Sequence, residues 1–439
     1  MKRALLPLVL AWLSLAACAG SATAQRHGRG VEARAQAWVE KHLDEQILFL
    51  EETVNINSGT MNLKGVREVG ALYRKAFDAI GMKTKWIELP ESMGRAGHLV
   101  ATQTGAPGAK RLLLIGHLDT VFELESPFQR FTRQGHMATG PGTVDMKGGN
   151  AVILYALRAL HAAGALDSLN ITVIFTGDEE KPGAPLATTR HALIEAAKAS
   201  DVALGFESIV DHMDTATIAR RGFRGWVLTV EGKQGHSSQI FGSKFGYGAI
   251  YEVARILNAF RERLGGEENL TFSPGRILGG TELTHDMEAA KGEAFGKSNV
   301  IPKRVEAVGD LRALTPEQVE RTQAAMQAIV AANLPGTTAK LVFAEGYPPM
   351  APTDGNRTLL ALLSKVNQDI GRTPIEAVPP SRRGAADISF AAPHVPSMGG
   401  LGLLGDGDHS PAETVDLRSV GVSTKRAALL LYRLGQQQR

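Results

Sequence analysis

The chain holds a single cysteine, Cys18, in 439 residues. An intramolecular disulfide, a thiolate zinc site and a dithiol redox pair are therefore excluded together. An excess of either charge is missing as well: 48 lysines and arginines face 45 acids, a net charge of +3. Composition thus gives no electrostatic support for a nucleic-acid partner, which needs clustered positive charge. Past the N-terminus no stretch is apolar for long enough to span a bilayer, and there is no internal repeat or low-complexity tract. With 44% hydrophobic residues the chain can bury a large core, and its length points to two domains. The 48 glycines gather beside the motifs that carry chemistry.

The first 24 residues read as a targeting segment, 1–24: Lys2 and Arg3, an apolar run from Ala4 to Ala17 too short for a membrane span, then small residues. Ala22-Thr23-Ala24 fits ordinary signal cleavage, whereas Leu15-Ala16-Ala17-Cys18 fits a bacterial lipoprotein box with Cys18 as the lipid attachment point. Both readings export the protein to the periplasm or cell envelope.

Helical periodicity runs over residues 34–57 and 62–80, with Asn62 as the cap of the second helix. Short apolar, β-rich runs follow at Leu112–Ile115, Ile171–Phe175 and Val202–Phe206, separated by helical stretches near 149–163 and 186–198. That alternation predicts an α/β fold, a mostly parallel sheet covered by helices on both faces. From about Gly222 the order becomes strand 226–230, helix 248–264, strands 275–283 and 305–311, helix 316–333 and strand 339–344. This βαββαβ series predicts a small inserted sandwich with its helices on one face. Pro348-Pro349 is the best linker, and α/β character returns with a helix at 355–370, a strand at 398–403 and a helix from Val420. The boundaries that follow are 25–218 for the first part of the larger domain, 219–347 for the insert and 348–439 for the second part.

Several strand-end loops carry the polar groups. His117 and Asp119 follow the first apolar strand, so the imidazole could bind a metal while Asp119 orients it. The loop Gly140–Gly149 lacks the spacing of either nucleotide fingerprint and puts Asp145 where a helix starts, which would repel phosphate. One carboxylate with two divergent oxygens can instead bridge two cations. Asp178-Glu179-Glu180 ends the next strand, and its adjacent carboxylates allow one to ligate metal and the other to act as general base. Glu207 ends the third strand, and Gly405–Ser410 supplies His409. Imidazole and carboxylate without thiol suit zinc, with manganese or cobalt as alternatives.

At these residues the chain resembles the dinuclear-zinc aminoacylase and carboxypeptidase family, which includes acetylornithine deacetylase, succinyl-diaminopimelate desuccinylase and glutamate carboxypeptidase. Gly140-Pro141-Gly142, Lys147-Gly148-Gly149-Asn150 and Glu179-Glu180-Lys181 lie nearest the last of these. The resemblance implies two metal ions bridged by Asp145, one completed by His117 and Glu207 and the other by Glu180 and His409, with Asp119 behind His117 and Glu179 as the base. It implies that the insert is a lid or dimerisation domain of a homodimer, whose His236 reaches a neighbouring subunit's site. Asn299, Arg312 and Gly384 would contact substrate. The implied activity is that of a metallopeptidase or amidohydrolase cleaving a peptide or amide bond next to a free carboxylate, including a C-terminal glutamate. An N-acyl amino acid deacylase on the same site is the alternative, and a non-catalytic metal- or peptide-binding protein the rival from another class. Two departures stand out: Ser381–Asp387 carries Arg382 and Arg383 and fewer glycines than glutamate carboxypeptidase, and Glu345-Gly346-Tyr347 has no arginine to meet an acidic side chain.

Overall fold

The computed structural model describes residues 28, 30–287 and 289–439; residues 1–24, expected from the sequence to be a targeting segment, and Cys18 lie outside them. A six-stranded sheet runs in the order Lys83–Ile87, His98–Gln103, Asn170–Thr176, Arg111–His117, Val202–Gly205, Ser397–Met398. The last four strands are mutually parallel and the first two pair antiparallel at one edge. Side-chain alternation explains its two-sided burial. Leu112 and Leu114 face a core shared with helices Leu43–Val54, Lys147–Ala162 and Arg418–Gly435, while Leu113 and Ile115 face Leu193, Ile388 and Phe390 on the other side. The helix-covered, mostly parallel sheet is as the sequence predicts.

The antiparallel edge was not legible from apolar runs, because Lys83-Thr84-Lys85-Trp86-Ile87 places Lys83 and Lys85 outward on a boundary strand. The predicted helix 34–57 is two helices, 30–41 and Leu43–Val54, broken at His42, whose ring stacks on Trp38 at 3.9 Å. The helix Leu63–Asp78 begins as expected, with the Asn62 side chain accepting from the Gly65 amide. The expected strand near 398–403 is only the two-residue Ser397–Met398.

The insert has an antiparallel sheet in the order Thr271–Gly280, Arg304–Ala313, Gly222–Gly232, Thr337–Phe343. Trp226, Leu228 and Val230 point alternately into a separate core with Val253, Ile256 and Phe260 of helix Gly248–Leu264 and Met326 and Ile329 of helix Pro316–Ala331. The predicted strand 275–283 ends at Gly280. The chain then forms a hairpin, Glu282–Asp286 with Lys291–Phe295, that the polar sequence there did not announce. Pro348-Pro349 is not a free linker either. The two crossings between insert and main body lie side by side, with Arg220 and Met350 exchanging backbone hydrogen bonds of 2.9 and 3.0 Å and the Phe223 amide donating to Tyr347. Among the described residues no helix is long and apolar enough to cross a membrane.

Candidate metal centre

Three neighbouring parallel strands deliver polar groups at their C-terminal ends, where open α/β sheets form ligand sites. His117 closes the central strand, Glu179 and Glu180 follow Asn170–Thr176, and Glu207 follows Val202–Gly205. Asp145 precedes helix Lys147–Ala162, and Gly149 in its first turn leaves no room for a Cβ against the Phe206 carbonyl. That close approach brings Asp145 to the strand ends. His409 comes from the loop between the short strands Gly405–Asp406 and Thr414–Asp416, and its backbone is left-handed at φ +61°. Few non-glycine residues adopt that conformation, and those that do cluster at functional sites.

Two sets of possible ligand atoms result, each within 4.8 Å: His117, Asp145 and Glu207, and Asp145, Glu180 and His409. Asp145 belongs to both through different oxygens. Its Oδ1 is 3.1 Å from His117 Nε2 and its Oδ2 is 3.0 Å from His409 Nε2. Glu207 lies 3.7 Å from His117 and Glu180 3.1 Å from His409. Burial, then the Asp145 charge, raises Glu180 to about 8 and Glu207 to about 7. His409, hydrogen-bonded to Asp145 and Glu180, is raised to about 11. Burial thus disfavours negative charge on these packed acids while Asp145 and Glu180 favour a proton on His409, and divalent cations could take the place of such protons. The buried Glu180 Oε1 has no hydrogen-bond partner among the described residues. This donor set fits a pair of divalent ions.

The supports are buried. Asp119, fully enclosed, lies with Oδ1 3.5 Å from His117 Nδ1 and accepts from the amides of Glu179 and Glu180 at 3.0 and 3.1 Å and from Thr60 at 2.6 Å. It thereby fixes the histidine and the two-glutamate loop at once. Asn150 donates to the His117 carbonyl at 2.6 Å.

Sequence reasoning missed Glu413. It is fully buried, is raised to about 7 by burial, and accepts from the amides of Gly142, Val144 and Asp145 at 3.0, 2.9 and 3.1 Å. The only local signal was an acid four residues after His409 in the same loop. Glu413→Ala is expected to cost on the order of 3 kcal/mol, since it orphans three buried or half-buried amides. It should also weaken metal binding, because Asp145 loses its anchor. Denaturant unfolding and metal titration check both, and unchanged metal affinity in a folded variant would defeat the anchoring role.

Asp178, left without a role by the sequence, pairs at 2.6 Å with Arg190, whose Nε also meets Asp387 at 2.7 Å; all three are buried. Arg190 donates to the Tyr347 hydroxyl at 2.9 Å, and that hydroxyl donates to the Glu179 carbonyl at 3.1 Å.

Of the predicted substrate residues, Arg312 and Gly384 line one cavity with Glu179, Glu180 and His409. Arg312 Nε is held by Asp310 at 2.8 Å and its guanidinium lies 5.3 Å over the Phe223 ring. His236 and Asn299 do not line that cavity. They sit together on the insert, where His236 bridges Val300 and the Ser237 amide donates to the Asn299 carbonyl.

A family model described as peptidase family M20/M25/M40 matches residues 113–433. Carboxypeptidase G2 from a Pseudomonas species is 28% identical over 438 residues, spanning 97% of each chain. A succinyl-diaminopimelate desuccinylase from Methylocella silvestris is 27% identical and spans 71% of this chain and 79% of its own. The fold matches that of aminopeptidase PepT from Bacillus cereus (TM-score 0.69, 18% identity, 90% of this chain and 99% of that one). It also matches a dinuclear metal-binding peptidase of Bacillus subtilis (TM-score 0.62, 15% identity, 91% and 99%).

Proposed function

The chain belongs to peptidase family M20/M25/M40, a family of dinuclear metal-dependent peptidases and amidohydrolases, and from that premise we propose that it hydrolyses a peptide or amide bond next to a free carboxylate. The observation that carries this reading is the cavity in which Arg312 faces the same space as Glu179, Glu180 and His409. Asp145 would hold both ions, His117 and Glu207 the first, Glu180 and His409 the second. Zinc suits the donor set, with cobalt or manganese as substitutes. The ions, when bound, supply Lewis-acid chemistry, polarising the scissile carbonyl and lowering the pKa of the attacking water.

The chain's own residues do the rest. Glu179 takes the proton from the attacking water and passes it to the leaving amine. Arg312 offers two terminal nitrogens that have no partner among the described residues, a fork shaped for a carboxylate. Gly384 stands beside it, so close that a Cβ there would lie 3.9 Å from the guanidinium. His236, supported by Asn299 on the insert, would donate to the oxyanion of a partner subunit's site, with residues 219–347 acting as lid and dimerisation domain between main-body segments 25–218 and 348–439. A segment such as 1–24 would place this chemistry in the periplasm or cell envelope.

A second reading, deacylation of N-acyl amino acids, uses the same groups and is favoured by the desuccinylase relatives. A panel of dipeptides and N-acyl amino acids, each as free acid and as C-terminal amide, tests the common element. Metal-loaded protein should cleave free acids about 10- to 100-fold faster than their amides, the worth of one charge-assisted contact. Equal rates would overturn the carboxylate-directed reading.

A further inference from the structure

The cavity beside the metal centre, about 690 Å³, is unequal in its chemistry. Its size suits a dipeptide or N-acyl amino acid. Away from Glu179, Glu180 and His409 its wall is made by Pro182, Ala184, Leu186, Phe223, Tyr347 and Ala385, and among the described residues Arg312 is the one lysine or arginine in its lining. The wall also contains Glu345, whose Oε2 accepts from the Leu186 amide at 2.8 Å, so the carboxylate is tied across the boundary between insert and main body. Other arginines stand outside this cavity. Arg220 is buried and donates through one terminal nitrogen to the Gly384 carbonyl, with its Nε and other terminal nitrogen unpartnered among the described residues; Arg382 pairs with Asp211, and Arg383 reaches Ser208. None of the three lines the cavity.

We infer that Glu345 and the apolar wall make this site selective for substrates whose group next to the carboxylate is uncharged and apolar, and that Glu345 excludes acidic side chains. The inference rests on the carboxylate-directed reading and sharpens it. Once Arg312 holds the substrate's carboxylate, the neighbouring side chain meets the wall. An aliphatic or aromatic group there gains burial against Phe223, Leu186 and Tyr347. A second carboxylate would lose water without a cation to meet it and would stand in a cavity that already holds Glu345, a juxtaposition of like charges that specific sites use to reject wrong ligands. The absence of a guanidinium at Glu345-Gly346-Tyr347, noted in the sequence, is thus the positive feature of the site: an acid occupies that place.

The test compares kcat/KM for N-acetyl-leucine and N-acetyl-phenylalanine with that for N-acetyl-glutamate, using metal-loaded protein at one pH. The apolar compounds should be favoured by at least about tenfold. Glu345→Gln removes the charge and keeps an oxygen for the Leu186 amide, so the variant should fold, and the leucine-to-glutamate ratio should drop about tenfold or more. Glu345→Arg should lower it further. A wild-type preference for the glutamate compound, or a ratio unmoved in both variants, would overturn the inference alone. No turnover of any free acid with metals bound would overturn the carboxylate-directed reading, and this inference with it.

Discussion

Glu179→Gln is expected to lower turnover by roughly three or more powers of ten while both metal ions remain bound. The expectation rests on how Glu179 is held. Its amide donates to Asp119 Oδ1 and its carbonyl accepts from the Tyr347 hydroxyl, so the loop is fixed through the backbone and survives a change of side chain. The carboxyl group itself belongs to neither set of ligand atoms, although it lines the cavity with Glu180 and His409. Burial, reinforced by Asp387, Glu207 and Glu180 and opposed by His117, raises it well above the usual carboxylate range. A base must be deprotonated at working pH yet basic enough to hold a proton in transit, and a raised carboxyl meets the second need. Divalent ions beside it would restore the first by favouring the charged form. Glutamine keeps the shape and loses both proton transfers, so the fall should be in kcat with little change in KM. Glu180→Gln should differ, since Glu180 stands in the set with Asp145 and His409, and its loss should release one ion. Elemental analysis with steady-state kinetics separates the two variants. Metal lost from Glu179→Gln would mean that Glu179 is a ligand.

How much of this was legible in the sequence depended on whether the signal was local. Apolar runs such as Leu112–Ile115 and Ile171–Phe175 announce buried parallel strands because both faces of the sheet are covered. Polar residues just past such runs therefore land at one sheet end, which made His117, Glu180 and Glu207 readable together. The helix 248–264 was readable to the residue, since its buried positions Glu252, Val253, Ile256 and Phe260 keep helical spacing and Gly265 ends it.

What escaped depends on partners distant in sequence. Glu413 acts only because the loop at Gly142–Asp145 folds over it, some 270 residues away along the chain. Asp178 looked like part of an acidic run, yet it is the buried partner of Arg190, which in turn holds the Tyr347 hydroxyl that donates to the Glu179 carbonyl. The double proline read as a linker, and neither proline can donate a ladder hydrogen bond. The crossing is secured through Met350 and Tyr347 on either side of the prolines instead.

Mixing two inactive variants, Glu179→Gln and His236→Ala, is expected to restore activity. His236 is exposed on the insert, its Nδ1 is 2.8 Å from Ser238 Oγ, and its Nε2 has no partner among the described residues. A histidine in such a turn commonly satisfies backbone groups, and the contact with the Ser238 amide at 3.3 Å is of that kind. That contact uses only one ring nitrogen, however, and the other stays available as a donor. The cavity of the same chain does not include it. On the same insert, Phe241, Ile250 and Tyr251 are each about half exposed, with the Phe241 and Tyr251 rings 5.4 Å apart. Exposed apolar groups on the element that carries a free donor suit burial against a second copy of the chain. If His236 then donates to the oxyanion in the partner's site, His236→Ala alone should cost about 10²- to 10³-fold in kcat, with metal content and stability nearly unchanged. In a dimer of one Glu179→Gln chain and one His236→Ala chain, one site carries both lesions and the other carries neither. With equal random exchange, half the dimers are mixed, so about a quarter of wild-type activity should return. Native mass spectrometry can verify the exchange independently of turnover. Exchange without recovered activity would show that His236 serves the site of its own chain, or no site.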